Sequence, residues 1–519
     1  MDPNTAYQTH GQSPVRPTAY LAESLLVRGA RAETRTVLQQ VAAEAGFDLV
    51  WDPTSEQDRK LLGRAKLDDR QRAELEEVWV DRVRLQPTDD PKNPVFKPID
   101  IWRLLQAFRA RVGRDSGSYG DVGLEHPTRS DDITANPFTQ PHPYTQPHPY
   151  TQPHPYTQPH PYTQPHPAMA QYATPGFGGR QPVSWRGQPP HARDLTAAGV
   201  RAPIVAVCDS GIGEHDWLGP AHVTHEVEVL GELIGLPAAT GVLAETGAID
   251  QMLGQLGDDS GHGTFIAGLV RQICPEAQIL DVRLFGNDGQ VAEGDLLRAL
   301  QLLALRQILA RNGVGGYDPV DVVLLSLGYY HEQPEDTAFD PLLHGPLRLL
   351  GQYGAAVVTS SGNDGTSRPA YPASFAPYQG GNVADEPGVV PIASVGALNP
   401  DNSIALFSND GPWVGYLRPG VALVSTFPRT YDASLNPTSE LVDVDGNRRA
   451  SLDLDDFTAG FGVWSGTSFA APVFGAELAA ALVDARLGGD TTGDTPGNTA
   501  AAVTRMRTLL ADMPGRVTS

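Results

Sequence analysis

Three short segments join glycine to a side chain that can move a proton or attack a carbonyl. The first is Val205-Ala-Val-Cys-Asp209-Ser-Gly-Ile-Gly213, an acid ending an apolar run and followed by a glycine turn. The second, Asp259-Ser-Gly-His262-Gly-Thr-Phe-Ile-Ala-Gly268, sets a histidine between glycines at the head of an apolar stretch. The third, Gly462-Val-Trp-Ser-Gly-Thr-Ser468-Phe-Ala-Ala-Pro472, sets a serine at the mouth of another. A serine nucleophile needs a base to take its proton and an acid to fix that base's tautomer. A helix N-terminus beneath the serine adds a positive dipole end where an oxyanion would form. Taken singly, each segment reads equally as a cap or a turn. In the order Asp, His, Ser, with these flanks, they point to nucleophilic hydrolysis.

Such residues must be carried on a rigid frame. After residue 199 the sequence alternates short apolar runs (204–208, 278–284, 320–326, 355–359, 390–395) with helical patterns, including 295–310 and 469–485. That alternation predicts an α/β fold with a largely parallel, buried central sheet flanked by helices. Sites in such sheets form beyond the carboxyl ends of the strands, where Asp209 falls.

The first 135 residues read differently. Residues 1–20 are polar and proline-bearing, an expected disordered lead. Runs at 24–27, 47–51, 78–85 and 122–124 suit strands. A helix is expected at 33–45, ending at Gly46, and another opening at Pro98 with Ile101, Leu104, Leu105 and Phe108 on one face. The order β-α-β-β-α-β is that of a ferredoxin-like α+β domain, assigned to 21–128. A linker at 129–195 follows, built on Thr-Gln-Pro-His-Pro-Tyr repeats that begin at Thr139. Polyproline II would place the repeat histidines on one face about 19 Å apart, too far for two to share an ion, so a semi-rigid spacer is expected. The remainder, 196–519, is the candidate catalytic domain.

The net charge is −23, and residues 201–519, which contain no lysine, carry almost all of it. A nucleic-acid or anionic-membrane binder needs a basic face, so neither partner is expected. The two cysteines, Cys208 and Cys274, make no disulfide framework. No secretory signal or apolar run of about 20 residues is visible, which sets the expected compartment as cytoplasmic, with non-classical export left open.

The segments around Asp209, His262 and Ser468 resemble the three signature blocks of the subtilisin-like serine proteases, the subtilases, and the resemblance covers about 200–485. It implies a serine endopeptidase acting through an acyl-enzyme: Ser468 as nucleophile, His262 as base, Asp209 as orienting acid. Ser360-Ser-Gly-Asn363 is similar to the family's oxyanion loop, implying that Asn363 and the Ser468 N–H hold the oxyanion. Ser326, Leu327 and Gly328 resemble its substrate-pairing strand, although Tyr329 stands where a second glycine is common. Ala370 falls where the S1 floor lies, implying an apolar P1 side chain. The spacing of the blocks implies insertions near 226–257 and 431–457. The latter holds Asp443-Val-Asp445-Gly-Asn447, which reads as a hairpin turn rather than a calcium loop. No cofactor is required, though structural calcium is compatible with the family. The N-terminal domain resembles the family's propeptide, an intramolecular inhibitor whose tail, near 123–132, would lie in the cleft, with self-cleavage expected between 125 and 194. The alternative is a catalytically silent scaffold that binds a protein partner.

Overall fold

A computed structural model describes residues 1–2, 6–7, 14–29, 32–88, 99–130, 169, 171–238, 242–250, 252, 254–286, 289–333, 342–431, 433 and 439–515. The repeats from Thr139 to Ala168 and the Pro98 helix start lie outside them.

The frame of residues 201–519 is a seven-stranded sheet in which every neighbouring pair is parallel. Val322–Leu325 is its central strand, flanked on one side by Ile204–Asp209 and then Gln278–Arg283, and on the other by Ala356–Ser360 and then Ala393–Leu398. Successive side chains of Ile204–Asp209 alternate between two cores. Val205 and Val207 join the core under helices His262–Ile273 and Thr467–Leu487, whereas Ala206 and Cys208 join the one under Glu293–Arg311 and His344–Gln352. Burial on both faces explains the uninterrupted apolar runs. Thr467–Leu487 is long and apolar enough to cross a membrane, yet it is the central helix of one of these cores and mostly buried.

The N-terminal unit has the ferredoxin-like strand order. Phe47–Trp51, Val80–Pro87, Ser24–Arg28 and Val122–Leu124 lie side by side, all antiparallel. Leu25 and Val27 turn towards helices Ala32–Ala45 and Ile101–Val112, while Leu26 turns the other way. That second face, with Trp79 and Val80, packs into the same core as Leu296, Leu300 and Leu347 of the large unit. Both faces of the small sheet are therefore covered.

Two helices between its second and third strands, Pro53–Arg64 and Asp69–Val78, were not anticipated. They are strongly charged and weakly patterned, but their starts are legible. Asp52 caps a helix that opens with Pro53, and Asp68 and Gln71 form a reciprocal capping box. The later helix begins at Ile101, capped by Asp100.

The expected spacer is shorter at both ends. Pro127–Ser130 is a strand, and Gln181–Pro182 pairs with Phe461–Trp464, so packed structure reaches well into the span assigned to the linker. The described residues of the two spans expected to be insertions include three small hairpins. Glu228–Val229 pairs with Glu232–Leu233, Ala248–Asp250 with Gln255–Leu256, and Glu440–Val442 with Arg448–Ala450 around the Asp443–Asn447 turn. In that turn the Asp443 carboxylate accepts the N–H groups of Asp445 and Asn447, committing it to closing the loop.

Candidate active site

Asp209 ends its buried strand, and His262 begins the helix that crosses above it. Gly263 permits the approach, since a Cβ there would lie 2.5 Å from the Gly211 carbonyl oxygen. Asp209 Oδ1 lies 2.8 Å from His262 Nδ1 and also accepts the Ser210 N–H at 2.7 Å. The hydrogen bond at Nδ1 sets the ring tautomer and makes Nε2 the basic nitrogen.

Ser468 is the second residue of Thr467–Leu487, so its N–H lies in the first turn, where no intrahelical i−4 carbonyl is available to it. Its neighbour Phe469 packs with a ring centroid 5.0 Å from that of His262, and Trp464 approaches from the edge at 5.6 Å. Serine and histidine are thereby held at one mouth. Ser468 Oγ is buried and takes no hydrogen bond among the described residues. Ser326 Oγ donates to the Ser468 carbonyl at 2.8 Å, tying the end of the Val322–Leu325 strand to the serine turn.

Asn363 joins the same group from the end of Ala356–Ser360. Its Oδ1 accepts both the Thr467 N–H and the Thr467 hydroxyl at 2.9 Å, which orients the amide. The preceding Gly362, at φ +101°, is required because a Cβ would meet Asn409 Nδ2 at 2.1 Å. Ala370 is buried and lies against this loop.

Leu327 and Gly328 form an edge strand, and a segment of the N-terminal unit lies on it. Pro127–Ser130 is the middle strand of three, with Arg129 opposite Gly328 and Ser130 opposite Leu327 on one side and Gln290–Ala292 on the other. Thr128 is fully buried and donates to the Val291 carbonyl at 3.0 Å, while Ser130 Oγ donates to Asp259, three residues before His262. Burial under this strand pushes the Asp259 carboxyl up to about 6, against the opposing Ser130 hydrogen bond. The residues after Ser130, including the rest of the expected cleft-filling tail, lie outside the described set.

Residues 201–492 match the profile of the Subtilase family. The chain belongs to that family. Similar curated proteins include the minor extracellular protease Epr of Bacillus subtilis (strain 168), 28% identical over 268 residues that make up 49% of this chain and 33% of Epr. Subtilisin BL of Lederbergia lenta is 28% identical over 273 residues, covering 50% of this chain and 80% of subtilisin BL. The alignment thus takes in a third of one relative and four fifths of the other. Among solved structures, a lanthipeptide protease gives a TM-score of 0.37 at 17% identity, covering 58% of this chain and 78% of that one. The protease domain of PatA gives 0.37 at 19%, covering 60% and 95%.

Sequence reasoning missed the surroundings of Tyr329. This subtilase turns that side chain towards the N-terminal unit, stacking it on His126 with ring centroids 4.5 Å apart and donating its hydroxyl to Glu293 Oε1 at 3.0 Å. The only sequence signal was a tyrosine where the family often has glycine.

Proposed function

We propose that the chain is a serine endopeptidase held in check by its own N-terminal unit. In this reading Ser468 attacks the scissile carbonyl while His262 Nε2 takes its proton. The imidazolium passes that proton to the leaving amine as the C–N bond breaks. The acyl-enzyme is then hydrolysed by water activated at the same nitrogen, which returns a proton to Ser468. Asp209 holds the ring and stabilises the imidazolium. The Asn363 amide and the Ser468 N–H stabilise the oxyanion, a donor of this kind contributing about 2.7–4 kcal/mol. Every step uses side chains and backbone of this chain. Calcium enters none of them.

The observation that carries the reading is the strand Pro127–Ser130. An extended segment between two edge strands, leading towards Ser326 and Ser468, has the geometry by which a peptide substrate adds to a sheet. The segment before it also supports inhibition. The His126 carbonyl accepts the Glu293 N–H at 2.8 Å and Glu125 Oε1 the Gly294 N–H at 3.1 Å, so the N-terminal unit caps the helix Glu293–Arg311. Protein or peptide is the proposed substrate, with an apolar P1 side chain over Ala370.

Intact-mass analysis of the wild type beside Ser468→Ala tests the reading. The expected result is a cut between residues 125 and 194 in the wild type alone. Full-length masses for both, with no difference in peptide hydrolysis, would favour the silent scaffold.

A further inference from the structure

A close set of buried ionisable groups outside the triad lies where the N-terminal strand enters the cleft. His126, 2% exposed, is held there by two carboxylates of the large unit. Its Nδ1 lies 2.8 Å from Glu293 Oε2 and its Nε2 3.1 Å from Glu332 Oε2. A neutral imidazole has one N–H, and would turn a lone pair towards one of these oxygens. Only the imidazolium satisfies both. The Tyr329 ring covers its face at an interplanar angle of 19°, a placement that also favours a cation.

We propose that Glu293, Glu332 and the Tyr329 ring form a socket on the large unit for a cationic side chain, and that His126, seated there as an imidazolium, fastens the inhibitory strand through a single proton. The inference rests on reading residues 125–130 as the cleft-filling segment, and is independent of the chemistry at Ser468.

The other charges around the socket agree with this assignment. Arg109, from the helix Ile101–Val112, donates to Gln333 and comes within 4.0 Å of Glu332 Oε1. Two carboxylates thus face one imidazolium and one guanidinium. Removing the proton from His126 would leave buried negative charge uncompensated, a costly state. His331 Nε2 lies 3.3 Å from Glu332 Oε2, while its Nδ1 accepts the Gln333 N–H at 3.0 Å, placing its proton on Nε2. Burial holds His331 down at about 3 despite Glu332, so it stays neutral. Arg368 donates to the His331 carbonyl, and the Tyr371 ring packs against both Tyr329 and His331. Burial and Glu293 keep the Tyr329 hydroxyl protonated far into the alkaline range. His126, His331 and Glu332 are close enough for a divalent cation, with donor atoms within 4.8 Å, but the His331 nitrogen such an ion needs carries a proton.

The direction of the pH effect follows. Burial alone would lower the His126 pKa, but the hydrogen bonds it donates to Glu293 and Glu332, together with their negative charge, outweigh it and raise it from 6.5 to about 9. A raised pKa means that the proton stabilises docking fully below about 6.5, and that this contribution is lost as pH climbs through about 9. Alkali, not acid, loosens the strand.

Hydrogen exchange in full-length Ser468→Ala, which removes self-cleavage from the readout, tests the socket. After correction for intrinsic rates, protection of the 126–130 amides should fall on the order of 10²-fold between pH 7 and 10. His126→Gln should show the lower protection throughout, without pH dependence. Protection that stays flat across that range in the parent, or that is equal in His126→Gln at pH 7, would overturn the proposal. So would a loss of protection caused by EDTA at pH 7. The parent titration needs no further variant, so a poorly folding His126→Gln leaves the test intact.

Discussion

Two strands that flank the repeats in sequence, Pro127–Ser130 and Gln181–Pro182, are attached to the large unit in ways that differ in kind. The departing strand, Pro127–Ser130, is held by buried polar groups. Glu125, His126 and Thr128 are each 2% exposed or less, and each is hydrogen-bonded to the large unit. The returning strand, Gln181–Pro182, is held by aromatic packing. Trp185 stacks on Phe461 at 5.4 Å and meets Trp217 edge-on at 5.3 Å, while Arg180 lies 5.0 Å over Trp464. Apolar packing is indifferent to pH, whereas a buried ion pair is stable only while both partners stay charged. On the proposed reading, one attachment is released as pH rises and the other persists, as an inhibitor departing from an intact enzyme would require.

Substitutions should separate the two. The largest effect is expected from Glu332→Ala, which strands the His126 charge beside Arg109. Breaking a buried pair in this way costs about 3–5 kcal/mol. The loss should appear as rapid exchange at residues 122–130, with the melting of the large unit little changed. Trp185→Ala should do the reverse, lowering the stability of the large unit by about 2 kcal/mol, given its partial burial. Denaturant titration at pH 7 and at pH 10 should return the same decrement. Thr128→Val removes one buried hydrogen bond and should loosen the departing strand by about 1 kcal/mol, read in the same exchange experiment. A Trp185→Ala effect that grew with pH would erase the distinction between the attachments.

The sequence was most informative where a local rule and a chemical need coincide. Asp209, His262 and Ser468 stand out because glycines beside them allow close approach, as at Gly263, and because a strand end and two helix starts are readable from apolar patterning. The small sheet was legible for the same reason. The helices Pro53–Arg64 and Asp69–Val78 were not, because charge hides their apolar face and only their caps announce them. The socket was invisible to local reading. Glu293 opens a helix, Glu332 follows an edge strand, and His126 comes from the other unit, so only tertiary contact unites them. Tyr329 could be marked as a departure from the family, but its direction depends on the strand laid against it.

The most direct test of the account is labelling of the full-length protein with a fluorophosphonate, followed by peptide mapping. The account predicts a single adduct on Ser468, forming slowly while Pro127–Ser130 fills the cleft, faster in Glu332→Ala, and absent in Ser468→Ala. An adduct elsewhere, or no adduct in Glu332→Ala once exchange has shown the strand to be released, would contradict it.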